Sequence, residues 1–432
     1  MTNIPETQNP SSWKKPFFTI WTGQAFSIFG SQLVQFALIW YLTKTTGSGT
    51  VLATASIAGI LPQVLIAPFA GAIVDRLNRR MVMIISDTCV ALATLSLAVL
   101  FASGIVQIWH IYLVMFIRSI CGNFQHPAMM ASTSLMVPKD QLTRIQGLNT
   151  TLYGSLNIIT APLGALLMEI LPMYGIIGID VGTAIIAILP LLFIPIPQPA
   201  QAPSAPAANP VKTLLLDMRE GLVYMITWKG LLVIVSFAVV INFLFAPISA
   251  LMPLLVHNHF NGGALQLAWM ETGFGIGFVA GGVLLSAWGG FKKKVFTSSI
   301  GLVGMGLGTL MIAAAPPPFY LLALAGMAIS GLANPITNGP LLALVQSTVE
   351  PQIQGRVFSL IGSACTAMTP IGLALAGPLS DVVNAQLWYW FGGIGCIIMA
   401  IAMVSIPAVL NIENGRSVAE PLPASLKAEE IG

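Results

Sequence analysis

Charge is what this chain has least of. Asp, Glu, Lys and Arg together make 8% of its 432 residues, while 56% are hydrophobic; soluble domains carry roughly 25% charged residues. A water-soluble fold of this length could not cover its surface with so few charges. Cysteine is as scarce: Cys89, Cys121, Cys365 and Cys396 each fall inside an apolar run. They read as small buried thiols, with neither a disulfide framework nor a metal site. No glycine-rich phosphate cradle occurs, which excludes ATP as a power source within this chain. No nucleophile–base pair or metal-ligand cluster occurs either, so neither an enzyme nor a cofactor is expected. Residues 1–16 are polar, and the first apolar run is too long for the core of a secretory leader, so no cleavable signal peptide is expected. The net charge of +3 carries no nucleic-acid signal, because its distribution has another cause.

What the chain has is apolar length. A spanning helix needs about 20 mostly apolar residues. Twelve runs qualify, at about 18–42, 50–74, 81–101, 107–127, 146–170, 176–196, 230–256, 266–288, 295–314, 320–345, 356–379 and 387–409. The 41 glycines and 29 prolines would disrupt soluble helices but are tolerated in membrane ones. With twelve spans and an inner N-terminus, one side of the membrane collects Lys14, Lys15, Arg76, Arg79, Arg80, Lys139, Arg144, Lys212, Arg219, Lys229, Lys292, Lys293, Lys294, Arg356, Arg416 and Lys427. The outer loops hold only Lys44. That asymmetry places both termini in the cytoplasm.

Residues 197–210 form a proline/alanine linker expected to be extended. The segment 211–228, with Lys212, Asp217, Arg219 and Glu220 among leucines, suits an amphipathic helix at the inner surface. A shift of 208 residues relates the two sides of this linker. It pairs Tyr112 with Tyr320, Pro127 with Pro335 and Val137 with Val345, then Ile145-Gln146-Gly147 with Ile353-Gln354-Gly355. It also pairs Gly154-Ser155 with Gly362-Ser363, Pro162 with Pro370 and Gly164 with Gly372. The expected fold is an all-α membrane protein of twelve transmembrane helices in two six-helix pseudo-symmetric bundles. Its expected parts are an N-terminal segment 1–17, a first bundle 18–196, a linker with amphipathic helix 197–229, a second bundle 230–410 and a tail 411–432.

Between the second and third runs stands Gly71-Ala-Ile-Val-Asp75-Arg76-Leu-Asn-Arg79-Arg80. This pattern resembles the signature loop of the major facilitator superfamily, with Asn78 where that family usually has glycine. A decayed twin, Gly282, Ser286, Gly289 and Lys292-Lys293-Lys294, follows the eighth run with serine in place of Asp75. The triple lysine reads as a topology anchor, whereas Gly71, Asp75, Arg76, Arg79 and Arg80, with Arg356, are the expected parts of a conformational latch. Asp75 is expected to act as a conformational latch, docking on the N-terminus of the eleventh helix near Gly355-Arg356, a helix-dipole interaction of about 0.3–2 kcal/mol.

Inside the apolar runs the outlier is Arg118. A mid-helix arginine costs about 2.5–3.5 kcal/mol on insertion scales and must face a wet cavity or a partner. Followed four residues later by Gly122, it resembles the superfamily's fourth-helix motif of proton-coupled exporters. It either tunes a carboxylate or substrate anion or simply joins helices. The carboxylates that could carry a proton are Asp180 and Glu271, with Asp87 behind them. Gln24, Gln32, Gln35, Asn242, Asn334 and Asn338 either line a substrate cavity or hydrogen-bond between helices. His126, His257 and His259 are expected to be solvated.

The stretches Ile20-Trp21-Thr22-Gly23-Gln24-Ala25-Phe26-Ser27, Ile179-Asp180-Val181 and Gly355-Arg356-Val357-Phe358-Ser359-Leu360-Ile361-Gly362 resemble bacterial macrolide-efflux-type facilitators over about residues 14–410. The fifth-helix stretch Ala161-Pro162-Leu163-Gly164 departs from the Gly-Pro pattern of antiporters. The resemblance implies a monomeric drug/proton antiporter of the bacterial inner membrane, whose partners are lipophilic small molecules, protons and the bilayer. Export of an endogenous metabolite such as a siderophore or lipid, or a non-transporting receptor or scaffold, stand as alternatives.

Overall fold

A long apolar run in a bilayer finds no water for its backbone, so it satisfies its N–H and C=O groups internally as a helix. The computed structural model describes residues 13–74, 76–198, 219 and 222–412. Among the described residues are twelve helices of 20 or more residues. In the first part of the chain these are α1 (Lys14–Thr46), α2 (Gly49–Val74), α3 (Arg79–Ala102), α4 (Ile108–Met136), α5 (Leu142–Ile170) and α6 (Met173–Phe193). In the second they are α7 (Lys229–Asn258), α8 (Ala264–Trp288), α9 (Lys294–Ala314), α10 (Tyr320–Thr348), α11 (Pro351–Val382) and α12 (Gln386–Ser405), followed by the single turn α13 (Pro407–Leu410). Eleven described helices are long and apolar enough to cross a membrane. The other long one, α4, has 29 residues but includes Arg118, Asn123, Gln125 and His126.

The chain divides into two compact units, Met1–Leu42 with Ala58–Gln201, and Thr43–Ile57 with Ala202–Gly432. In the first, α3 packs on α4 and α6, and α1 approaches α6 where Gly23 and Gly30 face Ala187 and Thr183. In the second, α10 packs on α8 and α9, α9 on α12, and α7 on α11 and α12. Small residues let these membrane helices touch backbone to backbone. A Cβ on Gly277, Gly281 or Gly331 would stand 2.1, 2.0 or 2.2 Å from a carbonyl oxygen of the facing helix. The start of α2 belongs to the second unit, where Asp381 near the end of α11 caps it. The Asp381 carboxylate accepts from the Ser48 hydroxyl at 2.9 Å and from the Gly49 and Thr50 N–H groups at 2.5 and 3.0 Å.

Of the surface helix expected over 211–228, residues 222–227 are helical. Tyr224, Met225 and Trp228 are buried in one apolar cluster with Leu231 and Ile234 of α7, so this end of the segment is anchored in the core. Residues 211–218, 220 and 221 of the segment, residues 199–210 of the linker, the first twelve residues and the tail from 413 onward lie outside the described residues.

The internal repeat needs two offsets. In α5 and α11 the shift of 208 holds: Gly164 packs on Leu33 and Phe36 of α1, and Gly372 on Phe243 and Pro247 of α7. Helices α4 and α10, however, have 29 residues each, open at Ile108 and Tyr320, and close on extended valines Val137 and Val349. Their equivalent residues are therefore 212 apart, and Tyr112/Tyr320, Pro127/Pro335 and Val137/Val345 are not counterparts. Most of that difference is the three-residue 3-10 helix Lys139–Gln141, which stands between α4 and α5 and has no counterpart between α10 and α11.

A shared clasp fits the second offset. Arg79, first residue of α3, donates through Nη1 to the Ala131 carbonyl of α4 at 3.3 Å. Lys294, first residue of α9, donates through Nζ to the Ala343 carbonyl at 3.4 Å and the Ser347 hydroxyl at 3.0 Å of α10. Each cation sits at a helix C-terminus, where the macrodipole favours positive charge. Arg80 does the same for α6, reaching the Leu191 and Leu192 carbonyls at 2.5 and 2.6 Å. Asn78 caps α3, its side chain accepting from the Met81 N–H at 3.2 Å; with φ −68° it needs no glycine. The twin loop does use glycine: Gly289 and Gly290 have φ of +76° and +79°, a left-handed pair that other residues rarely adopt.

Candidate functional site

An arginine in a membrane helix must find its partners inside the protein. Arg118 of α4 finds three helices. Its Nη1 donates to the Asp180 carboxylate of α6 and to the Thr94 hydroxyl of α3 at 2.8 Å, and its Nη2 to the Ser31 carbonyl of α1 at 3.1 Å. Asp180, 1% exposed, accepts on both oxygens: Oδ2, the one paired with Arg118, also takes the Thr94 hydroxyl at 3.3 Å, and Oδ1 takes the Ser31 hydroxyl at 2.9 Å. Gly30 makes this approach possible, since a Cβ there would collide with Thr183 and crowd the backbone of Asp180.

A second polar layer lies two turns along the same helices. Gln24 of α1 donates through Nε2 to Asp87 of α3 at 2.8 Å, and Gln125 of α4 donates to the Gln24 carbonyl oxygen at 2.5 Å. Gln24 and Asp87 are 3% and 6% exposed. Gln24 and Ser31, Asp87 and Thr94, and Arg118 and Gln125 are each seven residues apart. Seven residues rise about 10.5 Å and return to nearly the same helix face. The result is a ladder of two rungs. In the second rung α6 offers only Ala187, packed on Gly23, and among the described residues no cation pairs with Asp87. A cavity of about 290 Å³ joins the rungs, lined by Gln24, Ser31, Gln32, Gln35, Asp87 and Arg118 among others.

The sequence-predicted residues are thus partly gathered. Arg118, Asp180, Asp87, Gln24, Gln32 and Gln35 belong to one site in the first unit, and Gln32 also accepts from Thr160 of α5 at 3.3 Å. Asn242 turns back to its own helix at the Ala238 carbonyl, 2.9 Å away, and Asn338 to Asn334, at 3.1 Å to both its carbonyl and its side chain. Glu271 is half-buried in α8 and makes no hydrogen bond or ion pair among the described residues. His259 bonds the Ala315 carbonyl at 2.8 Å. Of the signature loop, Gly71 closes on nothing within 4 Å, Arg76 is exposed, Arg356 is half-buried in α11, and Asp75 lies outside the described residues. Sequence reasoning missed Ser31, Thr94 and Gln125. The seven-residue spacing from the charged and amide residues was the signal that could have found them.

The family profile described as Major Facilitator Superfamily matches residues 20–371 and 243–427. Macrolide efflux protein A of Streptococcus pyogenes is 33% identical over 403 residues, covering 93% of this chain and 98% of that protein. Macrolide efflux protein A of Enterococcus faecalis is 32% identical over 327 residues, covering 76% of this chain and all of that protein (100%). Among solved structures, the nucleoside transporter NupG (D323A mutant) superposes with a TM-score of 0.67 at 15% identity, covering 91% of this chain and 99% of that one.

Proposed function

This chain belongs to the Major Facilitator Superfamily, and on that premise we propose that it is a secondary exporter of hydrophobic small molecules, macrolide-like drugs among them, driven by proton antiport through alternating access. The membrane is the bacterial inner membrane, with both termini in the cytoplasm, as the distribution of Lys and Arg favours. The relatives named for macrolide efflux support the substrate class.

The observation that carries the proton reading is the unequal pairing of the two rungs. Asp180 is held by Arg118, Ser31 and Thr94, so protonating it would leave a buried guanidinium without its counter-ion, which is costly. Asp87 has the neutral amide of Gln24. It can take up and release a proton on the same cavity without stranding a cation. We assign the transported proton to Asp87. Arg118 and Asp180 hold α4 to α6 and set the field beside it. Moving one charge through 100 mV supplies about 2.3 kcal/mol, enough for roughly a fiftyfold gradient.

Inverted membrane vesicles with an imposed pH gradient test this against a panel of lipophilic compounds. The parent chain accumulates at least one compound in a gradient-dependent way, and Asp87→Asn does not. A parent that moves nothing refutes antiport; an Asp87→Asn variant with parental accumulation refutes the assignment, and Asp180→Asn and Glu271→Gln then identify the acid.

A further inference from the structure

Gln24 and Gln125 face two cavities. Besides the one they share with Asp87, they line a second of about 180 Å³ between α1, α4 and α5, with Trp21, His126, Met129, Asn149 and Tyr153. No Asp, Glu, Lys or Arg lines it. A dry cavity of roughly 150 Å³ admits a benzene-sized guest, so this one suits a single ring of a larger molecule. Its walls combine aromatic rings and thioethers, which adapt to irregular apolar shapes, with polar groups that still have capacity. The Trp21 indole N–H donates to Asn149 Oδ1 at 2.7 Å; the Asn149 amide N–H groups and the His126 ring have no hydrogen-bond partner among the described residues. Gln125 uses one amide N–H on Gln24 and has its own carbonyl oxygen left.

We propose that this second cavity is a substrate subsite for an uncharged, ring-sized group bearing hydroxyl or carbonyl oxygens, and that Gln125 and Gln24 relay its occupancy to Asp87. An occupant hydrogen-bonded to Gln125 competes with Gln24 for that amide. Gln24, released on one side, reorients and changes its bond to Asp87 on the other, so substrate and proton are sensed through one pair of side chains. The other titratable or charged groups around Asp87 are Arg118 and Cys121 of α4, Asp180 of α6 and Cys89 on its own helix; α1 supplies none. The inference rests on the antiport reading above.

The test is equilibrium binding of erythromycin, which carries an uncharged, hydroxyl-bearing sugar ring, to the purified full chain at mildly acidic and mildly alkaline pH, beside gradient-driven export in vesicles; ethidium, a permanent cation without oxygen, is the contrasting probe. Met129→Ala and Asn149→Ala should weaken binding of erythromycin about tenfold, the scale of one lost contact or hydrogen bond, and leave its pH dependence intact. Gln125→Met should flatten that pH dependence; Gln125→Asn, which keeps an amide but withdraws it, should do the same and serves if the methionine variant does not fold. Thr151→Ala, on α5 outside the cavity, should bind as the parent does. Parental affinity in both cavity variants overturns the subsite, and parental pH dependence in both Gln125 variants overturns the relay. In either case a parent that still exports against the gradient leaves the antiport reading standing. A parent that neither binds nor exports either probe overturns both.

Discussion

Arg118 and Asp180, 62 positions apart in the chain, meet as an ion pair inside the first unit, and Thr94 touches both members. Such a pair adds little net stability against an apolar replacement, yet losing one partner is expensive. Arg118→Met alone should lower the unfolding free energy in detergent by about 3–5 kcal/mol. The double variant Arg118→Met with Asp180→Leu should recover most of it while transport stays lost. Thermal unfolding beside vesicle transport checks both, and a single variant as stable as the parent contradicts the buried pairing.

Asp87→Asn keeps a side chain that can accept from Gln24 at the geometry now seen. Its unfolding temperature should stay near the parent's. Substrate exchange across vesicles at equal pH should persist while gradient-driven accumulation disappears. Loss of both exchange and accumulation would show that Asp87 is needed for movement itself.

Gly281 and Gly282 are adjacent in α8 but differ in surroundings. A Cβ at 281 would fall 2.0 Å from the Leu332 carbonyl oxygen, and one at 282 meets nothing within 4 Å. Gly281→Ala should therefore destabilise the protein by about 1–3 kcal/mol through overpacking. Gly282→Ala should leave the melting temperature unchanged within error. Equal melting temperatures for the two variants would argue against close α8–α10 packing.

Asp75→Asn should express and melt like the parent yet transport poorly, because the acid of the signature loop is the part its twin at Ser286 lacks. Full transport activity would end the latch reading of Asp75.

The helices were legible because length and apolarity determine them, and α4 was legible despite Arg118. The partner of Arg118 was not. Asp180 could be read as near a helix end and Arg118 as near mid-helix, but nothing local says that α4 and α6 both lie against α3 with those residues level. Ser31, Thr94 and Gln125 were hidden for a related reason. Hydroxyls and amides are common in membrane helices, and only the recurrence of one spacing on three helices marks them out. Gln24, Gln32 and Gln35 were visible as polar residues within an apolar run, whereas Asn242 and Asn338 look the same in sequence yet bond back to their own helices. The repeat was visible in α5 and α11, where the Gly-Ser and Pro-x-Gly pairs matched, but a fixed offset cannot reveal that the loop between α10 and α11 is three residues shorter than the one between α4 and α5.

The Arg79 and Lys294 clasps bear on how the protein is made. Each ties the first residue of one helix to the last turns of the next, so each closes the open end of a hairpin made of consecutive segments, α3–α4 or α9–α10. Nothing synthesised later is needed to form it. Each hairpin can lock while the ribosome is still adding chain, and neither half must wait for the other to reach the bilayer.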